Sequence, residues 1–388
     1  MVSYYDVVIL GGGVSGILGG IGLTERGIGV AVIEHRDNIL SNLDHRVFAI
    51  SKRSKDILDR FGIWKEGGNC CPIEDILIFD GNSSSTVHYN HKLVGNDPMG
   101  YVISGKELSL MLQCKAHKFN HITSTSYSTT EVRDGFIETS LLDGRKTSSR
   151  LVICAEGRGS RFLRKSHIRT LRYDYRQSCI TCNVQHERHH RNIAIEHFFQ
   201  GGPLAILPMY GGYHSSIVWT EKPEIAQMLL RLPVKEFEIE LYRKCGEHTG
   251  YIEISGHRSC HQISMVLAER QYSKRSLLVG DALHSIHPVA GQGLNIGIRD
   301  VEAVVEILGE YHSLGSDIGQ EFILEEIEKR RSLDNYSMAA ITTAINSIFS
   351  STSIIPKVVR SVAMSIVEMS PYIKKKLIAH AMGVSTIY

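Results

Sequence analysis

A stretch of sixteen residues in the last third of the chain, Gly280–Asn295, combines residue types suited to ligand binding. Its sequence, GDALHSIHPVAGQGLN, contains a carboxylate at Asp281, two histidines, Pro288 and three glycines. Glycines at the start of a helix leave backbone N–H groups and the positive end of the helix dipole open to an anionic ligand. The spacing therefore predicts a strand that ends at the acid and a helix that begins within Gly291–Asn295.

A second glycine-rich stretch lies near the N-terminus. Gly11–Gly16 reads GGGVSG and matches the G-x-G-x-x-G pattern. The apolar run Tyr4–Leu10 precedes it as a predicted buried strand, and Ile17–Arg26 follows as a predicted helix. A second predicted strand ends at Glu34, 18 residues after the last glycine. This context, more than the glycines alone, predicts a dinucleotide-binding βαβ unit.

Each position of this loop has a predicted role. Gly11 permits the tight turn, Gly13 lets the backbone approach a pyrophosphate, and Gly16 lets helix and strand touch. The N–H groups of the first helical turn, Val14–Ser15, are expected to face the phosphates. Glu34 is expected to accept the ribose hydroxyls.

The fingerprint is shared by NAD and FAD, and the stretch Gly280–Asn295 favours FAD. In a flavoprotein, an acid at the carboxyl end of a strand, here Asp281, can hold the ribityl hydroxyls. Reduced flavin carries negative charge at the pyrimidine end of its ring, which the helix start at Gly291–Asn295 can stabilise. Pro288 is expected between these contacts, beside the reactive edge of the ring.

Composition narrows the class of protein. A chain of 388 residues is long enough for two domains, and 43% hydrophobic with 22% charged residues is typical of a folded soluble protein. A net charge of +2 argues against nucleic acid as a partner. The N-terminus lacks the basic and apolar regions of a signal peptide, and no run of 18 apolar residues is present. With eight cysteines, these features predict a cytoplasmic protein with reduced thiols.

Cys179 and Cys182 have a spacing found in metal sites. The surrounding sequence, QSCITCNVQHE, alternates as a strand does, and residues i and i+3 of a strand point to opposite faces. Two thiols in that arrangement cannot share an ion. No metal site is therefore predicted.

Several motifs of the sequence resemble those of a known family. GDALHSIHPVAGQGLNIGIRD resembles the GD motif of the FAD-dependent aromatic hydroxylases, and its HPVAGQGLN segment resembles the ubiquinone-biosynthesis branch (UbiH/UbiF/VisC-like). LDHRVFAISKRSKDILDRFGIW is similar to the segment after the second strand and places Arg46 at the family's flavin-contacting arginine. GPLAILPM and SSIVWT resemble the substrate sheet, RLVICAEGRGSRFLR the middle DG motif, and AMG the C-terminal signature, so the likeness covers nearly the whole chain.

Two positions depart from the family pattern. Glu156 stands where the middle motif usually has Asp, and the extra methylene moves the charge by about 1.5 Å. That motif is associated with the handling of both FAD and NADPH. Lys106 stands where the family usually has an Asn-Arg pair, and a lysine cannot reproduce a guanidinium fork.

The expected fold class is α/β. A Rossmann-like FAD-binding domain of the glutathione-reductase type is interleaved with a mainly antiparallel β-sheet substrate domain, and C-terminal helices close the chain. The predicted boundaries are 1–75, 95–175 and 260–330 for the FAD-binding domain, 76–94 and 176–258 for the substrate domain, and 331–388 for the helical segment.

The resemblance implies an FAD-dependent monooxygenase that hydroxylates the aromatic ring of a polyprenyl phenol in ubiquinone biosynthesis. NADPH or NADH would reduce FAD, and a flavin hydroperoxide formed with dioxygen would transfer one oxygen atom to the ring. Two alternatives stay open: an FAD-dependent reductase or dehydrogenase of isoprenoid double bonds with the same fold, and a non-catalytic flavoprotein scaffold of a quinone-synthesis assembly.

Site residues follow from the motifs and the resemblance together. His287 and Pro288 are the predicted catalytic residues, with His287 as a contact to the substrate phenol or a proton relay. The residues predicted to contact FAD are Gly11, Gly13, Val14, Ser15, Gly16, Glu34, His35, Arg46, Lys106, Glu156, Gly280, Asp281, Pro288, Gly291, Gln292, Gly293, Leu294 and Asn295.

The C-terminal segment Ile354–His380 carries five Lys or Arg residues against one Glu, with apolar residues at helical spacing. It predicts either a helical layer packed on the FAD-binding domain or a basic amphipathic face on anionic lipid. A polyprenyl substrate, which lies in the bilayer, favours peripheral contact with the inner face of the membrane. Lys374, Lys375 and Lys376 are the residues expected to meet lipid phosphates. A complex with other quinone-biosynthesis proteins is the further partner expected.

Overall fold

A computed structural model of the chain describes residues 2–40, 43, 46–65, 67–81, 85–350 and 364–384, with only the backbone at Ala290. The strands are β1 (Val2–Leu10), β2 (Val30–Ile33), β3 (Val47–Ser51), β4 (Cys70–Ile73), β5 (Asp75–Phe79), β6 (Thr86–Asn90), β7 (Gly100–Ser104), β8 (Asn120–Ile122), β9 (Tyr127–Arg133), β10 (Phe136–Leu141), β11 (Lys146–Cys154), β12 (Thr170–His186), β13 (Ile193–Phe199), β14 (Gly202–Pro208), β15 (His214–Glu221), β16 (Ile252–Ala268), β17 (Tyr272–Ser273), β18 (Ser276–Leu278) and β19 (His284–Ser285). The helices are α1 (Val14–Glu25), α2 (Lys52–Arg60), α3 (Gly105–Ala116), α4 (Arg161–Lys165), α5 (Pro223–Arg231), α6 (Val234–Thr249), α7 (Gln292–Ser313), α8 (Glu321–Ser350) and α9 (Pro371–Ala381).

The first sheet is built around β1, whose last four residues, Val7–Leu10, are fully buried. Such an apolar run suits a parallel strand covered on both faces. The strand order is β17-β18-β11-β1-β2-β8, with β10 and β9 extending antiparallel from β11. Because β1, β2, β11 and β18 are parallel, their carboxyl ends at Leu10, Ile33, Cys154 and Leu278 meet at one edge. That edge is where ligands bind in open α/β sheets.

Helices α1 and α7 lie together over one face of this sheet. A Cβ atom on Gly22 of α1 would stand 2.7 Å from the Val305 side chain of α7, so the glycine permits their close approach. Ile17 and Ile21 of α1 and Val301 of α7 complete a buried apolar cluster there. The contact holds the starts of both helices at the carboxyl edge.

The second sheet is mainly antiparallel, in the order β19-β16-β12-β15-β14-β13-β5-β6. One face is covered by α5 and α6, where Trp219, Phe237 and Leu241 are buried together. β5 pairs with β13, so the segment predicted as 76–94 does join this sheet. The sheet is wider than the predicted range 176–258, because β12 begins at Thr170 and β16 ends at Ala268.

The remaining elements close the fold. Strands β3, β7 and β4 form a small third sheet. Helix α8 begins at Glu321, before the predicted start at 331, and packs on α7 and on strands β13 and β14. Within the described ranges no helix is long and apolar enough to cross a bilayer.

Candidate functional site

A cavity of about 1420 Å³ lies between the carboxyl edge of the first sheet and one face of the second sheet. Both glycine-rich stretches reach its wall, together with residues from β12 to β16. The two ligand-binding elements expected from the sequence, nearly 270 residues apart along the chain, are therefore neighbours in space.

The first glycine loop is fixed by its own packing and open toward the cavity. Gly11 has φ +108°, and a Cβ atom there would lie 2.6 Å from the carbonyl oxygen of Ala155. A Cβ atom on Gly16 would collide with the carbonyl oxygen of Gly11, which keeps Gly16 behind the loop and off the wall. A Cβ atom on Gly13 would meet nothing within 4 Å. Gly13–Ser15 line the cavity with the free N–H groups of the first turn of α1.

Glu34 is locked to this loop at the end of β2. Its carboxylate is 5% exposed, and its Oε2 accepts the N–H of Gly12 at 2.6 Å. Its Oε1 accepts the N–H of Arg36 at 3.2 Å and lies 2.8 Å from the Nδ1 of His35. Glu34 and His35 both line the cavity, so the acid is held at the position where a ribose would follow the phosphates.

The turn after β18 brings Asp281 to the cavity. Gly280 has φ +60°, and a Cβ atom there would lie 2.7 Å from the hydroxyl oxygen of Ser15, so the turn packs directly on the start of α1. The Asp281 side chain is exposed to the cavity, and Arg46 lines the same space. Burial lowers the pKa of Arg46, while the negative charge of Asp281 opposes that shift.

A buried charge network holds this turn from behind. The carboxylate of Asp300 on α7 is fully buried; its Oδ2 accepts the N–H of Gly280 at 3.1 Å and lies 2.5 Å from the Nε2 of His284. Its Oδ1 accepts the Nε–H of Arg331 at 2.9 Å. Burial opposes ionisation, but His284 and Arg331 outweigh it and hold the pKa of Asp300 well below its usual range. Asp300 is thus a positioning residue for the turn.

The start of α7 forms another part of the wall. Gly291 adopts a left-handed conformation (φ +63°) as the helix begins, and it lines the cavity with Gly293 and Leu294. Asn295 is buried behind them; its side-chain N–H donates to the carbonyl of Ala49 at 2.9 Å and to that of Gly291 at 3.1 Å. Asn295 therefore ties the helix start to β3 and supports the wall without lining it.

The two residues predicted to be catalytic are placed differently. Pro288 lines the cavity, but the ring of His287 is fully buried and does not. Its Nε2 donates to the side-chain oxygen of Gln177 at 3.2 Å, its Nδ1 accepts the N–H of Val289 at 3.3 Å, and its edge meets the Tyr175 ring at 4.8 Å. Burial lowers the pKa of His287 to about 4, so the ring is neutral. These hydrogen bonds turn the His287 ring into the protein and off the cavity wall, and its contact with the substrate stays a prediction.

Two predicted cofactor contacts also lie off the wall. Lys106 is exposed on the first turn of α3 and does not line the cavity. The start of this helix packs against Leu43. Gln292 is 8% exposed and is directed away from the wall. The motif spacing placed both residues correctly along the chain, but helix orientation decides which side chains of a turn meet a ligand.

Glu156 lines the cavity and also caps a helix. Its Oε2 accepts the hydroxyl of Ser160 at 2.9 Å and the N–H of Phe162 at 3.0 Å, at the start of α4. The longer acid in the middle motif thus reaches backbone and hydroxyl donors of the next helix. Its departure from Asp has a structural use in this chain.

Sequence reasoning missed four charged residues of the wall, Arg36, Arg158, Arg161 and Glu196, of which Arg158 and Glu196 involve the second sheet. Arg158 bonds to the hydroxyl of Ser285 at 2.8 Å and to the carbonyl of Gln262 at 3.0 Å, and so joins the middle motif to the second sheet. Glu196 of β13 reaches the cavity from the second sheet. Its signal was available, because an acid interrupts the apolar strand IAIEHFF.

The paired cysteines divide as strand geometry predicts. Both cysteines reach the cavity wall, but only Cys182 packs in the apolar cluster under α5 and α6 with Ile180 and Val184. Over the described part of the chain, no cluster of three or more His, Cys, Asp or Glu side chains could hold a metal ion.

The site residues fit FAD. A phosphate can approach the N-terminus of α1 only where Gly13 leaves room, and the protein supplies that room beside free N–H groups. Glu34 stands at one end of the cavity for a ribose, and Asp281 is available for the ribityl chain. The start of α7 offers backbone donors and a positive dipole to the ring. The cavity continues from these residues to the second sheet, which leaves space for a second molecule.

Comparison with known proteins agrees with this geometry. The chain belongs to the FAD binding domain family, whose model matches residues 4–321. It is 37% identical to ubiquinone hydroxylase UbiL of Rhodospirillum rubrum, over 97% of this chain and 89% of the relative, and 27% identical to 3-demethoxyubiquinol 3-hydroxylase of Escherichia coli, over 97% and 98%. The crystal structure of p-nitrophenol 4-monooxygenase PnpA from Pseudomonas putida superposes over the full length of both chains with a TM-score of 0.80 at 16% identity. The expected family, α/β fold class and FAD cofactor are confirmed.

Proposed function

We propose that this protein is an FAD-dependent monooxygenase that hydroxylates the aromatic ring of a polyprenyl phenol in ubiquinone biosynthesis, with NADPH or NADH as reductant. The names of its relatives support a quinone precursor and dioxygen as co-substrates. The observation that carries the proposal is the cavity of about 1420 Å³, which joins the FAD motifs to one face of the second sheet. The relatives named as hydroxylases favour this reaction over a reductase or a scaffold with the same fold.

Each part of the chain has a defined task in this function. When bound, FAD supplies the redox chemistry with dioxygen and the reductant. Gly13–Ser15 would hold its pyrophosphate, Glu34 the ribose, and Asp281 the ribityl chain. The first turn of α7 would stabilise negative charge on the ring, and Pro288 is the wall residue expected near the ring. The second sheet keeps water from the reacting ring.

Substrate specificity falls to the second sheet. Its cavity face carries small and apolar side chains, including Ala205, Leu207 and Val218. Each methylene removed from water there contributes about 0.8 kcal/mol. Two isoprene units in this space would bind with several kcal/mol, and the rest of a long tail can remain in lipid. We infer that the phenol enters ring first along this face.

Isotope labelling tests the proposed reaction. The FAD-loaded protein, NADPH and a short-chain 2-prenylphenol are incubated under ¹⁸O₂, and the products are analysed by mass spectrometry. One ¹⁸O atom in a hydroxylated ring is the expected result. Reduction of a prenyl double bond without label uptake would instead identify the reductase, and reoxidation of FAD without any product would favour the scaffold.

We further propose peripheral contact with anionic lipid through α9, on a narrower surface than the sequence suggested. Tyr372, Lys375, Lys376 and Leu377 are exposed on one helix. Lys374, in contrast, is 9% exposed and pairs with Glu368 at 2.7 Å, so we do not include this lysine in the proposed lipid-binding surface. A complex with other quinone-biosynthesis proteins would use the surface that remains.

Vesicle binding tests the membrane proposal. Each lysine at an anionic surface contributes about 1 kcal/mol, so changing both Lys375 and Lys376 to Gln should weaken binding to phosphatidylserine vesicles about tenfold or more. Binding should also weaken with salt. Changing Lys329, an exposed lysine paired with Glu325 on α8, serves as the control. Equal binding by the double variant and the control would reject this surface.

A further inference from the structure

One carboxyl group of the cavity stands apart from the FAD motifs. Backbone pairing places Glu196 of β13 in a single row across the second sheet with Ala205, Val218, Thr181 and Ser259. All five residues line the cavity. Because cross-strand neighbours in a row project from the same face, the Glu196 side chain leaves the sheet toward the space in front of the FAD-binding residues.

The neighbours of Glu196 are apolar. Along β13 the residues on the same face are Ala194 and Phe198, both buried, and Phe198 stacks on Phe349 of α8 with ring centroids 4.0 Å apart. Ala205 is the nearest residue across the pair with β14. With the other described residues, Glu196 makes no hydrogen bond or ion pair. A carboxyl group in such surroundings retains its full capacity to bind a polar group of a ligand.

The environment of Glu196 favours the neutral acid. Desolvation raises the pKa of Glu196 to about 8. The other titratable groups that line the cavity from the second sheet are Cys179 on β12 and His257 and His261 on β16, and Arg158 reaches the same wall after β11. Burial raises the pKa of Cys179 to about 12, so its thiol stays protonated and cannot serve as a base. Glu196 is therefore the carboxyl group from the second sheet that can exchange a proton within the physiological range.

We propose that Glu196 is a catalytic residue that binds the ring hydroxyl of the phenolic substrate and takes its proton as the ring is attacked. This inference rests on the proposed function and adds the residue that activates the ring. Glu34, Asp281 and Glu156 are occupied by the cofactor motifs or by helix capping, and His287 is turned away from the cavity.

Glu196 takes one proton from the phenol and later returns it. As the ring carbon forms its bond to oxygen, the phenol O–H bond breaks, its electron pair moves from oxygen into the ring, and the proton passes to the Glu196 carboxylate. The attacked carbon then loses its own proton to solvent, and Glu196 returns its proton to the phenol oxygen. The oxygen atom comes from dioxygen, whose O–O bond breaks as the ring is attacked; the second oxygen atom takes up the two electrons of NADPH or NADH with two protons and leaves as water. Glu196 ends in the state in which it began.

Binding measurements form the first test. FAD-loaded protein is titrated with 2-prenylphenol and with its methyl ether, and binding is followed by the change in flavin absorbance. A hydrogen bond to a charged group predicts a ten- to hundredfold preference for the phenol above pH 8. Glu196→Ala should remove the preference, and Glu196→Gln should reduce it and make it independent of pH. Glu253→Gln, which neutralises an exposed acid of β16 outside the cavity, should retain it.

Turnover forms the second test. Loss of a general base lowers the rate of hydroxylation about 10²- to 10⁴-fold. We expect this loss in Glu196→Gln and partial rescue in Glu196→Asp, with FAD content and the Kd of the methyl ether unchanged. The wild-type rate should rise with pH around a midpoint near 8, as Glu196 ionises, and the Gln variant should lack this limb.

The outcomes separate this inference from the proposed function. If wild type hydroxylates 2-prenylphenol and Glu196→Gln does so at the same rate with the same pH profile, the role of Glu196 is refuted while the function stands. If wild type neither binds nor hydroxylates the phenol, both are refuted. FAD content and the melting temperature of each variant identify any loss that is due to misfolding.

Discussion

The two walls of the cavity are built in different ways. The wall of the first sheet consists of backbone turns, Gly11–Gly16 and Gly280–Asp281, in which Gly11, Gly16 and Gly280 are required by collisions with carbonyl and hydroxyl oxygens. The wall of the second sheet consists of side chains on regular strands, such as Thr181, Ala205 and Val218, where no special backbone conformation is needed. A cofactor common to a family is held by geometry that few residues can adopt. A substrate particular to one protein is met by positions that many residues can occupy.

This difference predicts how the two walls respond to substitution. A change in the first wall should disturb the fold or FAD binding, because its residues also pack the turns together. A change in the second wall should leave FAD in place and alter the substrate or the rate, as expected for Glu196. Four experiments on the first wall and on residues around it can break or sharpen the comparison, beginning with the largest expected effect.

Asp300→Ala should have the largest effect. Loss of this acid removes the carboxylate partner of the buried His284 and one of the two carboxylates that pair with Arg331, whose other partner is Asp334, which costs about 3–5 kcal/mol of unfolding free energy. It also frees the N–H of Gly280, so FAD affinity should fall as well. Denaturant unfolding and flavin content measure both effects. Because the pKa of Asp300 is held below its usual range, its stabilisation exists above the pKa of the unfolded chain and disappears as pH falls through the folded pKa.

The gap between wild type and Asp300→Ala should therefore be constant near neutral pH and narrow only in acid. Asp59→Asn, which breaks an exposed pair with Lys55, is the control and should cost less than about 1 kcal/mol. Equal unfolding of Asp300→Ala and wild type would show that the network does not support the turn.

Gly16→Ala and Gly13→Ala make the next pair. The first places a Cβ atom against the carbonyl oxygen of Gly11 and should cost the FAD-free protein about 1–3 kcal/mol. The second meets no protein atom within 4 Å, so the FAD-free protein should keep its stability. Both variants should bind FAD at least tenfold more weakly. In Gly13→Ala the added side chain fills space that the pyrophosphate needs. Undiminished FAD binding by Gly13→Ala would show that the phosphates do not bind beside Gly13.

Asp281→Ala should weaken binding without weakening the fold. A charge-assisted hydrogen bond to the ribityl chain contributes about 1.5–3 kcal/mol, which corresponds to a ten- to hundredfold change in Kd. The side chain is exposed to the cavity, so the unfolding of FAD-free protein should not change. Equilibrium dialysis against FAD gives the Kd. Asp281→Asn retains a hydrogen-bonding group, so its Kd for FAD should lie between those of wild type and Asp281→Ala. Full FAD affinity in Asp281→Ala would exclude the contact.

Lys106→Ala should have the smallest effect. The resemblance marked this lysine as a cofactor contact, but the structure exposes it on α3 outside the cavity. Substitutions at such positions usually change stability by less than about 0.5 kcal/mol. FAD content and the NADPH concentration needed for half-maximal flavin reduction should both match wild type. A raised requirement for NADPH would place the reductant near the start of α3.

Local sequence determined the parts of this protein that depend on local geometry. The G-x-G-x-x-G loop with Glu34, and the Gly280–Asp281 turn before α7, were predicted with their strands and helices, because glycine spacing and apolar periodicity act over a few residues. The two-residue period of a strand also predicted that Cys179 and Cys182 would differ in their surroundings, and only Cys182 packs in the apolar cluster with Ile180 and Val184. The motifs of the chain were also sufficient to predict the family and the cofactor.

Tertiary structure decided which side chains reach the cavity. His287 and Pro288 are adjacent in sequence, yet Gln177 and Val289 draw the histidine ring inward and only the proline lines the wall. Lys374 carries the same charge as Lys375, but only Lys374 has Glu368 within reach. Glu196 became a candidate only when five strands placed it in one row facing the FAD site. Burial, hydrogen-bond partners and desolvation depend on residues brought together from distant parts of the chain, and local sequence patterns do not encode those contacts.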